Sequence, residues 1–185
     1  FGPIEPVQGC KWKGSGQLNA SWEDVVATPI VINLTDDNAD GLTDDKDFPE
    51  IAFLTYNYPN GCCNVPAVLR IVDGRCNDDQ SMTTLASLNS PELTNDAGIA
   101  AGDLDGDGVP ELALIHQGGP SGDDPGGRLS LFPLPGDGGL GEPVVVEVGV
   151  GLQSMASLDV NADGVPDFAI ADSGANKLHI VLSDP

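Results

Sequence analysis

The stretch 103–112 reads DLDGDGVPEL and carries four acidic residues within ten positions. A second stretch at 159–168, DVNADGVPDF, repeats the spacing of its acidic or amide residues, its glycine and its proline. A third stretch at 36–51, DDNADGLTDDKDFPEI, keeps the beginning and the end of this pattern and lengthens the middle. Because carboxylates this close together repel one another, the repeated clusters need a partner that offsets their charge.

Each acidic stretch lies in the same sequence context. One short apolar segment precedes it, a second follows it directly, and a third comes after a gap rich in Gly, Pro or Asn. These segments are short and rich in β-branched residues, and no window has an apolar stripe with helical spacing, so an all-β chain is predicted. The predicted strands are 28–34, 50–56, 67–73 and 81–88 in the first repeat, 97–102, 111–117, 128–134 and 143–150 in the second, and 154–158, 167–171 and 177–183 in the third.

Units of four short antiparallel strands are typical of β-propeller blades. We therefore predict a first blade at 28–96, a second at 97–152 and a partial third at 153–185, preceded by an irregular segment at 1–27. About three blades do not close a ring, so we expect the propeller to be completed by copies of the chain or by further blades.

The charge of the chain restricts its partners. With 29 acidic residues against 7 Lys and Arg, its formal net charge is −22. This charge excludes a nucleic-acid reader held by phosphate contacts and disfavours anionic membrane surfaces. No apolar run approaches the length of a membrane span, so no membrane insertion is expected.

The acidic stretches have the spacing of calcium-binding loops. Calcium takes about six to eight oxygen ligands, which alternate residues of a tight turn can direct to one point, whereas magnesium accepts fewer protein ligands. Ordinary turn chemistry explains one such loop, but it does not require acids at the same offsets in three. The predicted ligands are Asp103, Asp105, Asp107, the Val109 carbonyl and Glu111 in the second loop, and Asp159, Asn161, Asp163, the Val165 carbonyl and Asp167 in the third.

The first loop departs from this pattern. Its spacing fits a twelve-residue EF-hand-type loop with Asp36, Asn38, Asp40, the Leu42 carbonyl, Asp44 and Asp47 as ligands. It also keeps the Pro-acid-apolar exit of the other loops in Pro49, Glu50 and Ile51. Either Asp44 with Asp47, or Glu50, therefore completes the coordination, and about three calcium ions are expected in all.

The segments GDLDGDGVPELAL, LDVNADGVPDFAI and INLTDDNADGLTDDKDFPEIAF resemble FG-GAP repeats, also called VCBS repeats, of integrin α-subunit propellers and secreted bacterial proteins. The resemblance covers about residues 28–182. It implies a propeller fold with a calcium loop between the first two strands of each blade, where the ion braces a hairpin and does no chemistry. It says little about function.

The four cysteines, Cys10, Cys62, Cys63 and Cys76, match no zinc-binding spacing. Two disulfides in an oxidising compartment are predicted, with buried free thiols as the alternative. Because a disulfide between adjacent cysteines needs a strained eight-membered ring, we expect Cys62 and Cys63 to bond to separate partners. Cys10 would then fasten the N-terminal segment to the first blade.

The sequence favours binding over catalysis. No nucleophile with a base and a third partner is evident: His179 lies in an apolar strand, and Ser173 beside Asp172 has no elbow motif. We predict an extracellular adhesion, ligand-binding or assembly segment that is not an enzyme, with an accessory propeller of a larger secreted hydrolase or lyase as the alternative. Its partner would be a glycan or a cell-surface protein, contacted by Tyr56, Tyr58 and His116 at the end opposite the metal loops, or copies of the chain itself.

Overall fold

The computed structural model describes residues 9–14, 18–61, 65–90, 93–117, 126–134 and 141–183. The chain is all-β, as predicted, and its strands form three antiparallel sheets. Among the described residues the only helical element is the 3-10 turn Tyr58–Asn60. No helix in these ranges has the length and apolar character needed to cross a membrane.

The strands follow one another in each sheet in chain order. Every segment predicted as a strand contains one, with differences of a few residues at the ends. Sheet 1 consists of β1 (Ile30–Ile32), β2 (Glu50–Thr55), β3 (Val68–Cys76) and β4 (Met82–Leu88); sheet 2 of β5 (Ile99–Gly102), β6 (Glu111–His116), β7 (Gly127–Phe132) and β8 (Val144–Gly149); and sheet 3 of β9 (Leu152–Leu158), β10 (Asp167–Asp172) and β11 (Lys177–Val181).

The sheets stack because their second strands are apolar on both faces. Ala52 and Leu54 of β2 pack in one buried cluster with Leu112 and Leu114 of β6. The opposite face of β6 packs in a second cluster, formed with Phe168 and other residues of sheet 3. The short first strands contact each other in the order β1, β5, β9. The first strands of the three sheets therefore lie side by side.

Residues 9–14 and 18–24, called the N-terminal segment from here on, cover part of the outer face of sheet 1. Arg70 of β3 is fully buried, and its guanidinium donates hydrogen bonds to the carbonyls of Leu18 (2.7 Å) and Asn19 (3.1 Å) and to the Thr55 hydroxyl (2.9 Å). The ring of Trp12 lies 5.5 Å from the Arg70 guanidinium carbon. No carboxylate takes part in these contacts, so backbone carbonyls satisfy this buried cation.

A disulfide joins Cys10 to Cys76, whose Cα atoms are 5.4 Å apart. It fastens the N-terminal segment to the end of β3, as expected. The expected pairing is nevertheless wrong, because Cys10 and Cys76 bond to each other and neither is left for Cys62 or Cys63. Those two residues lie outside the described ranges. Sequence spacing did not reveal this pairing, since it depends on where the segment crosses the sheet.

The Arg70→Met variant should lose between about 1 and 3 kcal/mol of unfolding free energy, because the thioether keeps the packing but leaves the Leu18 and Asn19 carbonyls without their donor. Amide hydrogen exchange should show the loss of protection concentrated in residues 9–14 and 18–24. Lys177→Met, which removes a positive charge from an exposed position, is the matched control. A variant as stable and as protected as the parent would mean that Trp12 and the disulfide hold the segment without Arg70.

Candidate metal centre

All three acidic loops connect the first and second strands of a sheet. The first joins β1 to β2, the second β5 to β6, and the third β9 to β10. Because successive strands are antiparallel neighbours, these loops lie at one end of the sheets, and the connections from second to third strand lie at the other. The repeat therefore gathers the acidic side chains on one side of the molecule.

The three loops share a backbone conformation. Counting the leading aspartate as position 1, positions 4 and 6 have positive φ in every loop, a region that favours glycine. Loops 1 and 3 have alanine at position 4, where loop 2 has glycine. The φ values are 60° and 91° at Ala39 and Gly41, 79° and 87° at Gly106 and Gly108, and 64° and 93° at Ala162 and Gly164.

The leading aspartate shapes each loop through its own carboxylate. One oxygen of Asp36, Asp103 and Asp159 accepts a hydrogen bond from the N–H of the position-6 glycine, at 2.8, 3.0 and 3.0 Å respectively. The position-5 carboxylate likewise accepts from the N–H at position 7 in each loop. The carboxylates at positions 1 and 5 therefore shape the turn in each loop.

The second loop brings three predicted ligands together. One carboxylate oxygen each from Asp103, Asp105 and Glu111 lies within 4.8 Å of the others. Glu111 opens β6, is only 9% exposed, and accepts a 2.8 Å hydrogen bond from the Leu104 N–H. Burial raises the pKa of Glu111, and the three aspartates of the loop raise it further. This cluster is the only group of three acidic, His or Cys side chains at such distances within the described ranges.

A cavity of about 420 Å³ lies between the first two loops. Asp36 of the first loop and Asp105, Asp107 and Glu111 of the second line it. Its carboxylate oxygens are hard ligands of the kind that calcium prefers. The donor set of loop 2 therefore fits a divalent cation.

The third loop has the same backbone but a looser arrangement of acids. Asp167, fully buried at the start of β10, accepts hydrogen bonds from the N–H groups of Val160 and Ser183, both at 2.9 Å. The Asn161 amide donates to Asp163 at 2.7 Å. Asp159, Asp163 and Asp167 do not form a close carboxylate triad in this structure.

In the first loop Asp47 and Glu50 have different surroundings. The Asp47 carboxylate accepts from the N–H groups of Asn38 (3.2 Å) and Asp44 (2.9 Å), which both belong to the loop. Glu50 instead accepts from the Leu34 N–H (2.7 Å) and the Thr35 hydroxyl, outside the loop. Asp47 thus lies against the loop itself and Glu50 against the segment before it, so both alternatives, Asp44 with Asp47 or Glu50, stay open. The hydrogen bond from Lys46 lowers the pKa of Asp44.

Arg75 braces the first loop, a role that the sequence analysis missed. Its guanidinium pairs with Asp37 of the loop at 3.0 Å and with Asp73 at 2.7 Å, and it lies 5.0 Å from the centre of the Phe48 ring. The sequence did contain a signal for this role: Arg75 is one of only 7 Lys and Arg residues, and it lies close to Asp73 and Cys76 in the chain.

At the opposite end, the predicted ligand-binding residues differ in exposure. Tyr56 and His116 are both 5% exposed, whereas Tyr58 is 62% exposed. His116 is the last residue of β6 and Tyr56 directly follows β2. Both side chains are buried and offer a partner little surface. Residues 62–64 and 118–125 of the neighbouring connections lie outside the described ranges.

Asp172 and His179 form a pair within sheet 3, with His179 Nε2 3.1 Å from the Asp172 carboxylate. Ser173 is not part of this pair, because its hydroxyl donates to the Gly151 carbonyl at 3.2 Å. Burial raises the pKa of Asp172, but hydrogen bonds from the Ala175 N–H, His179 and the Val150 N–H outweigh it and lower the pKa to about 2. Asp172 thus links the turn after β10 to the turn before β9.

Neither a scan against protein-family models nor a search of curated proteins finds a match for this chain. The interpretation of the loops therefore depends on their geometry and donor chemistry.

The Ala162→Gly variant should stabilise the chain by about 1 kcal/mol, because glycine adopts φ of 64° without the steric cost that alanine bears. For a chain of this size the melting temperature should rise by roughly 2 to 4 °C. Ala169→Gly, in the middle of β10, should lower it. Equal destabilisation by both substitutions would contradict the left-handed conformation at position 4.

The Asp172→Asn variant should be less stable than the parent at neutral pH. Since the folded-state pKa of Asp172 is about 2, against 3.8 ordinarily, its carboxylate contributes stability above pH 3.8 that is lost as pH falls through 2. The difference in unfolding free energy between parent and variant should therefore shrink across that window. A difference independent of pH from 2 to 7 would show that only shape matters here.

Proposed function

We propose that this chain is a calcium-stabilised segment of an extracellular β-propeller that acts in adhesion, ligand binding or surface assembly. Its three sheets are the blades, and the calcium ions brace the hairpins between first and second strands. The ions serve structure and do no chemistry.

One observation carries the metal part of the proposal: three separate loops repeat the same backbone conformation and the same leading-carboxylate hydrogen bonds. Simple turns do not also need a carboxylate or amide oxygen at position 3 and an acid at position 9 in all three loops. The ion of the second loop would be held by Asp103, Asp105, Asp107 and Glu111, and Asp36, Asp40 and Asp47 would contribute to the first. Asp159, Asp163 and Asp167 would draw together around the third.

Calcium is favoured over magnesium by the kind and number of the donors. Each loop offers several carboxylate or amide oxygens and a backbone carbonyl, a set suited to about six to eight ligands in a flexible arrangement. Magnesium is held by fewer protein groups and keeps its waters.

The order of the sheets supports the propeller. Successive four-stranded antiparallel sheets that pack face to face, with their first strands side by side, are the arrangement of neighbouring blades. The Cys10–Cys76 disulfide supports an oxidising, extracellular setting.

Calcium should bind the native chain and raise its melting temperature. At a free calcium concentration about 100 times the Kd, one site adds about 2.7 kcal/mol to the unfolding free energy. Isothermal titration calorimetry should give about three sites, and magnesium at equal concentration should have a smaller effect. Unchanged melting with calcium or EDTA at neutral pH would refute the proposed metal role.

Asp107→Asn tests one site alone, because the amide oxygen still accepts the Val109 N–H bond while the charge is lost. Calcium affinity of one site should fall about tenfold or more, or about 1.4 kcal/mol. Asp78→Asn is the matched control, since Asp78 is exposed and outside the loops. Equal affinity losses in both variants would indicate a general charge effect.

Of the three residues expected to contact a partner, Tyr58 is the exposed one. It lies at the end of the sheets away from the metal loops. Tyr58→Ala should weaken binding to a ligand found on a glycan array or by cell-surface capture, and leave calcium-dependent melting unchanged. Phe48→Ala removes an exposed aromatic ring at the metal-loop end and is the control. Binding lost only with Phe48→Ala would place the partner surface beside the loops.

A further inference from the structure

The first acidic loop differs from the other two at the base of its hairpin. In every sheet the last residue of the first strand lies opposite the acid that opens the second strand, called the exit acid from here on. The pairs are Ile32 with Glu50, Gly102 with Glu111 and Leu158 with Asp167. The step is nine positions from 102 to 111 and from 158 to 167, but eighteen from 32 to 50. Loop 1 therefore contains nine additional residues.

Strand register and loop conformation consequently identify different residues of loop 1 as equivalent to the other loops. By register, Asn33 follows the first strand, as Asp103 and Asp159 do. By backbone conformation, Asp36 is the leading residue. The register thus defines a second set of alternate residues at the base of the hairpin. This base set consists of Asn33, Thr35, Asp37 and Glu50.

Equivalent hydrogen bonds support the register. In each sheet the exit acid is buried, and its carboxylate accepts from the N–H of the second residue after the first strand. These bonds run from Leu34 to Glu50 (2.7 Å), from Leu104 to Glu111 (2.8 Å) and from Val160 to Asp167 (2.9 Å). Because a buried carboxylate needs a positive charge or further donors nearby, each hairpin base has the same electrostatic requirement.

In sheet 1 a guanidinium meets this requirement. Arg75 lies near the end of β3, and its Nη1 is 3.0 Å from the carboxylate of Asp37 in the base set. Its Nη2 is 2.7 Å from Asp73, which lies opposite Glu50. The hydrogen bond to Asp73 raises the pKa of Arg75 most, and the charges of Asp73, Asp37 and Glu50 also raise it. The charge of Arg75 thus acts on both carboxylates of the base set.

Sheets 2 and 3 have more carboxylates at this place and no equivalent cation in the sequence. The residues that follow their third strands, 133–143 and 182–185, contain no Lys or Arg. Arg128 and Lys177 belong to the opposite ends of those strands. The base set has two carboxylates, whereas the predicted ligands of loops 2 and 3 include four and three. The base of sheet 1 therefore has fewer carboxylates where it has a fixed cation.

We propose that the Arg75 guanidinium serves at the base of the first hairpin as a calcium ion serves at the bases of the second and third. The inference rests on the proposed calcium role of loops 2 and 3. An ion bound by loop 1 then lies among residues 36–47, and Glu50 stays with Leu34 and Thr35. Removal of calcium loosens two of the hairpin bases and leaves the first intact.

Amide exchange at the three equivalent N–H groups tests the inference. When NMR exchange rates of the full chain at neutral pH are compared in calcium and in EDTA, Leu104 and Val160 should exchange at least about tenfold faster without calcium. Exchange at Leu34 should stay unchanged, because Arg75 remains in place. This comparison uses the parent chain alone and does not depend on the folding of any variant.

Variants of Arg75 test the charge itself. Arg75→Met keeps most of the length of the side chain without its charge, and it should speed exchange at Leu34 by about tenfold in calcium and in EDTA alike. Arg75→Lys should retain most of the protection. Lys46→Met is the matched control, since Lys46 belongs to the same loop but pairs with Asp44. Melting curves verify that each variant folds.

Three outcomes would overturn the inference and leave the calcium proposal intact. The first is equal acceleration by EDTA at Leu34, Leu104 and Val160, which would place an ion at all three bases. The second is unchanged exchange at Leu34 in Arg75→Met, and the third is an equal change in Lys46→Met. If EDTA instead affects neither Leu104 nor Val160, the calcium role itself fails. The inference then fails with it, because no ion is left for Arg75 to replace.

Discussion

Apolar packing on both faces of the second strands is the constraint on which the rest of the structure depends. A strand that is apolar on both sides cannot lie at a solvated surface, so each sheet must be covered twice. β6 meets this requirement between its two neighbouring sheets. For sheet 1 the cover on the outer side is the irregular N-terminal segment, held by Arg70 and Trp12.

The same stacking concentrates charge. Chain-order antiparallel sheets place all the first connections on one side, and those connections contain nearly half of the acidic residues. Backbone N–H groups within each loop partly satisfy the carboxylates, and Arg75 pairs with Asp37 and Asp73 beside the first loop. These contacts shape the turns without neutralising them, which leaves a role for a divalent cation.

The strands and the acidic loops could be predicted because their causes are local. Strands such as β6 and β10 can be predicted from a short apolar run bounded by turn residues. The positive φ of Gly108 and Gly164 is likewise a property of the local turn. Features that depend on how distant segments meet could not be read in this way. Three such features are the pairing of Cys10 with Cys76, the burial of Tyr56 and the carbonyl partners of Arg70. All of them depend on where residues 9–14 and 18–24 lie against sheet 1.

That path also sets an order of events during folding. Each sheet is built from successive hairpins, whose contacts are close in sequence and form early. The N-terminal segment is different, because Trp12 donates to the Thr84 hydroxyl across 72 residues and Lys11 bridges to Ser81. Its docking must wait until β3 and β4 have formed, so residues 9–14 and 18–24, although they precede sheet 1 in the chain, take their place after its later strands.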